Sequence, residues 1–484
     1  MKKKLLIISA VIAASPMLYS FCGFYVSKAD GTLKNKTSQV ILVRDGNKTV
    51  ITMYNDFKGD VKDFAMVVPV PVVLQKSDIK VTDNGIFQRL NDYSAPRLVE
   101  YYDQNPCEQQ VMADMAYSVA PRNRAIKEES GYLKKSLGVT VEAKYTVGEY
   151  DILILSAKES SELKTWLTDN GYKVPKGAEE VLEPYIKSNL KFFVVKVNVS
   201  EKEKAGLENL RPIQIKFNSP KFMLPIRLGM ANADGDQDMI IYGFTRQGRI
   251  ETTNYRTVAV PTGKNIPLFV KKNFSTFYTN LFRHQWDTEN ERIAFLEYAW
   301  DVSLANYVKC DPCISIPPDY NDLKTAGVWW LGNNDDDYIN GNEPDGKVYF
   351  TRLHVRYNRN AFPQDLSFQV TPNKENFQAR YIITHPAMGI FNCEEGKKYM
   401  ADLKERRRKE LNMLASLTGK DASDWDITLN DEENMNITAD VSYSNLSQLS
   451  TNEPGKKSGS TEIILASAVI LGCISAVKYK GNKK

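Results

Sequence analysis

Two spacings of apolar residues run through this chain, and the shorter one dominates. Across 38–55, Val40-Ile41-Leu42-Val43 and Thr49-Val50-Ile51-Thr52-Met53 flank Asp45-Gly46-Asn47, the pattern of a β-hairpin closed by a tight turn. The stretch 64–74 carries Pro69 and Pro71, which withhold donors on one side and so predict an edge strand, not a central one. Runs of β-formers predict further strands at 150–155, 192–199, 213–217, 239–245, 255–260, 347–357, 366–370 and 380–384. Helical spacing is rarer. Leu163, Trp166 and Leu167 share a face over 160–170, and 177–190 continues as a helical partner kinked at Pro184. Ile293, Leu296, Trp300 and Leu304 predict a helix over 290–306. Met400, Leu403, Leu411, Leu414 and Leu417 predict a long one over 396–417, stopped by Gly419. The expected fold class is α+β and β-rich, with antiparallel sheets and a few packed helices.

The two ends depart from this pattern. Lys2, Lys3 and Lys4 precede an apolar stretch from Leu5 to Leu18, the layout of a secretory signal peptide, with cleavage expected after Ser20. Cys22 follows the large residue Phe21, so it is read as an ordinary cysteine of the mature protein, with a lipidated cysteine as the alternative. Near the other end, Ile463 to Val477 is uninterrupted apolar and small sequence, followed by Lys478, Tyr479, Lys480, Lys483 and Lys484. As a helix it reaches roughly 24 Å against a hydrocarbon core of about 30 Å, a thin fit that snorkelling lysines allow. The spacer, apolar run and basic tail also resemble bacterial C-terminal sorting signals. Either way the expectation is an exported body in the cell envelope, held to a membrane at its C-terminus and facing outward. The expected divisions are a signal peptide at 1–20, a β-rich subdomain at 21–145 and an α+β subdomain at 146–419. A polar tether at 420–460, a transmembrane or sorting segment at 461–478 and a basic tail at 479–484 follow.

Charge narrows the partners. The chain carries 63 Lys+Arg and 59 Asp+Glu, a net +4. With Lys2 to Lys4 and the four tail lysines set aside, 56 basic residues face 59 acidic ones, leaving the body near −3. Such a body lacks the excess positive charge that phosphate neutralisation demands, so nucleic acid is not an expected partner. The partners expected are the membrane, through the C-terminal segment, and an envelope protein or surface ligand.

Candidate chemistry is sparse. His284, His354 and His385 are scattered, without a zinc-protease spacing, and each is read as structural. No nucleophile elbow, Walker loop or dinucleotide glycine loop appears. Of six cysteines, Cys473 lies in the apolar segment. Cys310 and Cys313 form a Cys-x-x-Cys pair, but Pro317 and Pro318 bar a helix start where a redox thiolate needs one. A structural disulfide is preferred, to each other or to Cys107 and Cys393, with zinc or dithiol chemistry as alternatives. Acidic loops at Asp234-Gly235-Asp236-Gln237-Asp238 and at Asp335, Asp336, Asp337 and Asp345 are either solvated turns or oxygen-rich calcium sites. Arg406-Arg407-Arg408 reads as a solvated helix face, with a partner-binding patch as the alternative.

Several segments together resemble one family: Phe21-Cys22-Gly23-Phe24-Tyr25-Val26, Gln39 to Gly46 with Val67-Val68-Pro69-Val70-Pro71, Val147-Gly148-Glu149-Tyr150-Asp151-Ile152, Glu251-Thr252-Thr253-Asn254-Tyr255-Arg256, Cys310-Asp311-Pro312-Cys313 and Thr351-Arg352-Leu353-His354-Val355-Arg356-Tyr357. They are similar to the bacterial family called domain of unknown function 2330, over roughly 21–418. The resemblance implies an exported, often C-terminally anchored bacterial protein and supplies no catalytic residues. The function expected first is a non-enzymatic envelope-surface binding or scaffold protein. The rivals are a hydrolase with a spatially assembled site, a thiol oxidoreductase using Cys310 and Cys313, and a calcium-stabilised adhesion module.

Overall fold

A computed structural model describes residues 24–25, 38–54, 65–108, 139–170, 172, 174, 177–207, 210–232, 235–303, 315–331, 346–421 and 425. Contacts divide the chain into Met1–Ile427 and Thr428–Lys484, and every described residue belongs to the first unit. The expected signal peptide, most of the tether and the apolar segment at 461–478 lie outside the described residues. Among those described, no helix is long and apolar enough to cross a membrane.

The fold is α+β and sheet-rich. Its largest sheet has nine strands. In spatial order they are β14 (Arg256–Ala259), β16 (Ile293–Asp301), β17 (Tyr349–Tyr357), β12 (Gln237–Thr245), β2 (Ser38–Asp45), β3 (Lys48–Met53), β10 (Ile213–Asn218) and β5 (Ile79–Val81), with β19 (Phe377–Gln378) also on β16. A five-stranded sheet runs β1 (Phe24–Tyr25), β4 (Ala65–Val70), β9 (Lys191–Val197), β8 (Tyr150–Ala157) and β7 (Val139–Val147). Two three-stranded sheets are β11 (Met223–Leu224), β18 (Leu366–Val370), β13 (Ile250–Thr252), and β15 (Lys264–Asn265), β20 (Arg380–His385), β6 (Arg97–Tyr102). The helices are α1 (Gly85–Ser94), α2 (Ser160–Asp169), α3 (Ala178–Lys187), α4 (Val199–Lys204), α5 (Phe274–Thr288), α6 (Tyr320–Ala326) and α7 (Glu394–Thr418).

Four layers result. One face of the nine-stranded sheet (Val40, Leu42, Ile241, Leu353) packs on the inner face of the five-stranded sheet (Ile152, Ile154, Phe193, Val195). Its other face (Ile41, Val43, Tyr242, Phe350) is covered by Phe87 and Leu90 of α1 and Leu323 of α6. The outer face of the five-stranded sheet (Leu155, Phe192, Val194) is covered by Leu163 and Leu167 of α2 and Leu182 of α3. Sheets covered on both faces explain why these strands read as continuous apolar runs instead of alternating ones. Both large sheets take strands from either side of residue 145.

The hairpin forms as the pattern predicts, with Asp45 opposite Lys48 and the positive φ of +54° carried by Gly46, which tolerates it. The 64–74 stretch is β4, one place in from the sheet edge. Its neighbour β1 pairs only at Met66 and Val67, so no strand faces Pro69 on that side among the described residues.

The helix expected over 290–306 is a strand instead. Every residue of β16 from Ile293 to Ala299 is buried, because the strand lies between β14 and β17 with both faces covered. The helix in this region is α5, earlier in the chain, whose Phe277, Leu281, Phe282 and Trp286 are buried. Asn290 and Glu291, at φ +59° and +63°, break it and turn the chain into β16. Helical spacing within a fully buried run cannot discriminate the two structures.

Ile241 sits on β12, flanked by β17 and β2, and is 1% exposed. Ile241→Ala should lower the free energy of unfolding by about 2–5 kcal/mol, read from urea midpoints. A midpoint equal to wild type would contradict this central placement.

Candidate functional site

The densest polar chemistry lies inside the nine-stranded sheet. Pairing of β16 with β17 slips between Leu296 and Tyr298, so Glu297 is the extra residue of a β-bulge. The bulge aims its fully buried carboxylate at β17, where Arg352 and His354 stand two residues apart on one face. Glu297 accepts from Arg352 Nε at 2.6 Å, faces His354 Nδ1 at 2.8 Å and accepts from the Tyr278 hydroxyl of α5 at 2.5 Å. On the next strand, Asp238 faces His354 Nε2 at 3.1 Å and takes two bonds from Arg356, at 3.0 and 2.8 Å. The His354 ring stacks on Phe282, with centroids 4.0 Å apart.

Burial pushes the carboxyl of Glu297 up, but Arg352 and His354 outweigh it and hold the group at about 2. Burial likewise opposes ionisation of Asp238, and His354 and Arg356 bring it to about 2. For His354 burial favours the neutral ring, yet the two carboxylates raise its pKa above the ordinary 6.5. Both ring nitrogens therefore face acceptors, which suits the imidazolium. A general base needs a nitrogen lone pair turned to a substrate, and neither nitrogen has one to offer. This network is a charged strut joining β12, β16, β17 and α5.

A second constellation lies at the end of the β15–β20–β6 sheet. Cys107, after β6, and Cys393, the N-cap of α7, form a disulfide with Cα atoms 5.8 Å apart. A side chain at Gly396 would meet Cys107 Sγ at 2.7 Å and the Phe391 backbone at 2.9 Å, so only glycine lets the helix press on the bridge. The loop between β20 and α7 is fixed from below. Asn105 donates to the Met388 carbonyl at 3.1 Å, and the Tyr399 hydroxyl accepts from Ala387 N at 2.8 Å and bonds Asp103 at 2.7 Å. Arg406 takes both oxygens of Asp103, at 3.2 and 2.6 Å, so it is not the solvated residue its basic run suggests. Above this frame Tyr102, Met388 and Ile390 stand exposed, by 67, 72 and 74%, while Tyr101 points from the opposite face of β6. Tyr102 is stacked flat on His385, whose Nε2 reaches Glu100 at 2.8 Å. Among the described strands β6 pairs only with β20, leaving its outer edge beside these side chains.

The structure thus bridges two of the four candidate cysteines, Cys107 and Cys393. Cys310 and Cys313 lie outside the described residues, as do Asp335, Asp336, Asp337 and Asp345 and therefore the second calcium loop. In the first loop Asp234 is also outside, while Asp236 accepts from Asn358 at 2.8 Å and Asp238 belongs to the strut. Among the described residues no cluster suited to a metal ion occurs. Sequence reasoning missed Glu297 because it was placed on a helix, and missed the apolar patch because its three members come from two distant segments.

A profile of uncharacterised proteins conserved in bacteria, DUF2330, matches residues 16–369, well over half of the chain. The chain belongs to the DUF2330 family. The DUF2330 match covers the strut and the Cys107 side of the patch and stops before Cys393 and α7. No curated protein and no solved structure matches the chain.

Glu297→Gln removes the charge that Arg352 and His354 neutralise, and should cost about 3–5 kcal/mol near neutral pH. Depressed carboxylate pKa values contribute stability above the ordinary carboxylate range and lose it as pH falls through about 2. The raised His354 contributes below 6.5 and loses its share as pH rises through its folded value. Urea melts should therefore show the gap between wild type and variant narrowing from about pH 4 to about pH 2. A gap constant with pH would contradict an ionised Glu297.

Proposed function

We propose that this DUF2330 protein is exported to the bacterial envelope, tethered at its C-terminus, and acts there as a non-enzymatic binding protein. Its partner is a polypeptide that lays an extended segment along the outer edge of β6. The signal-like start and the apolar, lysine-flanked segment near the C-terminus support the location. The patch of Tyr102, Met388 and Ile390 beside an edge strand carries the binding role. An exposed edge offers main-chain donors and acceptors, and neighbouring pockets and side chains select the sequence added. Contiguous exposed apolar residues mark interaction sites, and tyrosines anchor them. Charges beside the patch pair off, Lys271 with Glu100 and Lys397 with Glu394. That balance favours a protein segment over an anionic lipid surface, which would call for a basic rim. The underlying disulfide and hydrogen bonds hold the patch rigid, so docking forfeits little conformational entropy.

A photo-reactive residue placed at Tyr102 or Ile390 of the full chain should give the same discrete adduct in intact envelopes. Lys187, exposed on α3, should give none. Tyr102→Ala with Ile390→Ala should weaken binding of the partner so found by about tenfold or more. Adducts that are absent, or identical from all three positions, would overturn the reading.

A further inference from the structure

Beyond the patch, one face of α7 and the short strand β15 border a half-open cavity of about 430 Å³. Asp402, Arg406, Lys409, Glu410 and Met413 line it from the helix, and Lys264 lines it from β15. Such a volume is in the range of small-ligand sites. Most of the lining charge is already spent. Arg406 gives two of its nitrogens to Asp103, and Lys409 stands 3.6 Å from Glu405, which Arg408 also holds.

Three groups are not spent. The Glu410 side chain is 8% exposed and accepts no hydrogen bond among the described residues; its nearest cation is Arg406 Nε, at 3.7 Å. That distance is too long for a hydrogen bond, and Arg406 Nε is itself buried without one. Lys264, half-buried on the opposite wall, makes no ion pair among the described residues, and neither does the exposed Asp402. A nearly buried carboxyl with no protein donor is left to the little water that reaches it, so a ligand donor there is favourable.

We propose that this cavity binds a small zwitterion of the amino-acid or short-peptide class, its ammonium at Glu410 and its carboxylate at Lys264. The ammonium supplies the donors Glu410 lacks, and the Lys264 ammonium faces the other end. Met413 and the lysine stems form an apolar wall for a small aliphatic side chain. An anion alone is disfavoured by the buried carboxyl, and a metal ion by the absence of a suitable ligand cluster among the described residues.

Ionisation supports the assignment. Burial raises Glu410 to about 7, against the opposing pull of Arg406 and Arg407 and with Asp103 adding to the rise. Asp402, Glu405, Lys409 and, across the cavity, Lys264 are the other charged groups lining it; the α5 residues packed on α7 in the neighbouring core, Phe277 and Leu281, are apolar. An arriving ammonium favours the ionised carboxylate, so binding releases a proton near pH 7 and tightens as pH rises from about 6 to about 7, above which the dipeptide's own amine begins to lose its proton.

The test is titration calorimetry on the full chain in two buffers of different ionisation enthalpy, with alanyl-alanine, its N-acetyl derivative and its C-terminal amide. The expected result is binding of the zwitterion with proton release, and at least about tenfold weaker binding of each blocked dipeptide. Glu410→Gln should abolish the proton release and weaken binding, and Lys264→Met, on a partly exposed strand, should erase the preference for a free carboxylate. Thermal melts verify that each variant is folded, and the lysine variant decides the question if Glu410→Gln does not fold. No heat from any dipeptide, equal affinity for all three, or an unchanged preference in Lys264→Met would overturn the proposal. The β6 patch plays no part in this outcome.

Discussion

A carboxylate with no access to water has to find its compensation inside the protein, and Glu297 sets that condition for the middle of this fold. An ion moved from water into a low-dielectric interior is costly, and only close, well-oriented counter-charges offset the cost. Here the bulge in β16 turns Glu297 toward β17, whose alternation delivers Arg352 and His354 to the same face. His354 then needs a second acceptor, which Asp238 supplies from β12, and Asp238 in turn holds Arg356. Register is thereby tied to charge. A one-residue slip of β17 would bring its apolar residues opposite Glu297 and leave the carboxylate stranded.

The outer constellation is built by another logic. Around α7 the polar groups fasten loops, and what they fasten is apolar and exposed. Asp103 serves Tyr399 and Arg406 at once, the disulfide ties the chain after β6 to the helix N-cap, and Met388 and Ile390 are lifted on top. Farther along the same helix Arg406 gives two nitrogens to Asp103 and stands 3.7 Å from Glu410. One ion pair thus borders both the frame of the patch and the wall of the cavity.

Much of the sheet framework was legible from residues alone. The hairpin at Asp45-Gly46-Asn47, the strands at Tyr150, Phe192, Ile213, Met239 and Arg380, and the long helix ending at Gly419 all appear where pattern places them. Failures came where burial on both faces erased periodicity, as in β16, whose Ile-Ala-Phe-Leu-Glu-Tyr-Ala-Trp run carries chance helical spacing. The sites were far less legible. His354 could be placed on a strand face, but its acceptors come from positions 57 and 116 residues away. Cys107 and Cys393 were candidates in several pairings, and only the arrangement of β6 beside β20 brings them together. Tyr102 and Ile390 carry no local signal at all, since exposure is a property of the folded surface.

The covalent bridge has a mechanical side. Its two ends are 286 positions apart, so most of the framework lies within one closed ring of chain. Tension applied beyond Gly419 can unravel α7 only as far back as Cys393. About 25 residues would pay out, a gain of roughly 48 Å over the helix's own length, before the load reaches a bond that does not yield by unfolding. The helix is thus an extensible element in series with a covalent lock, yielding from its outermost turn inward.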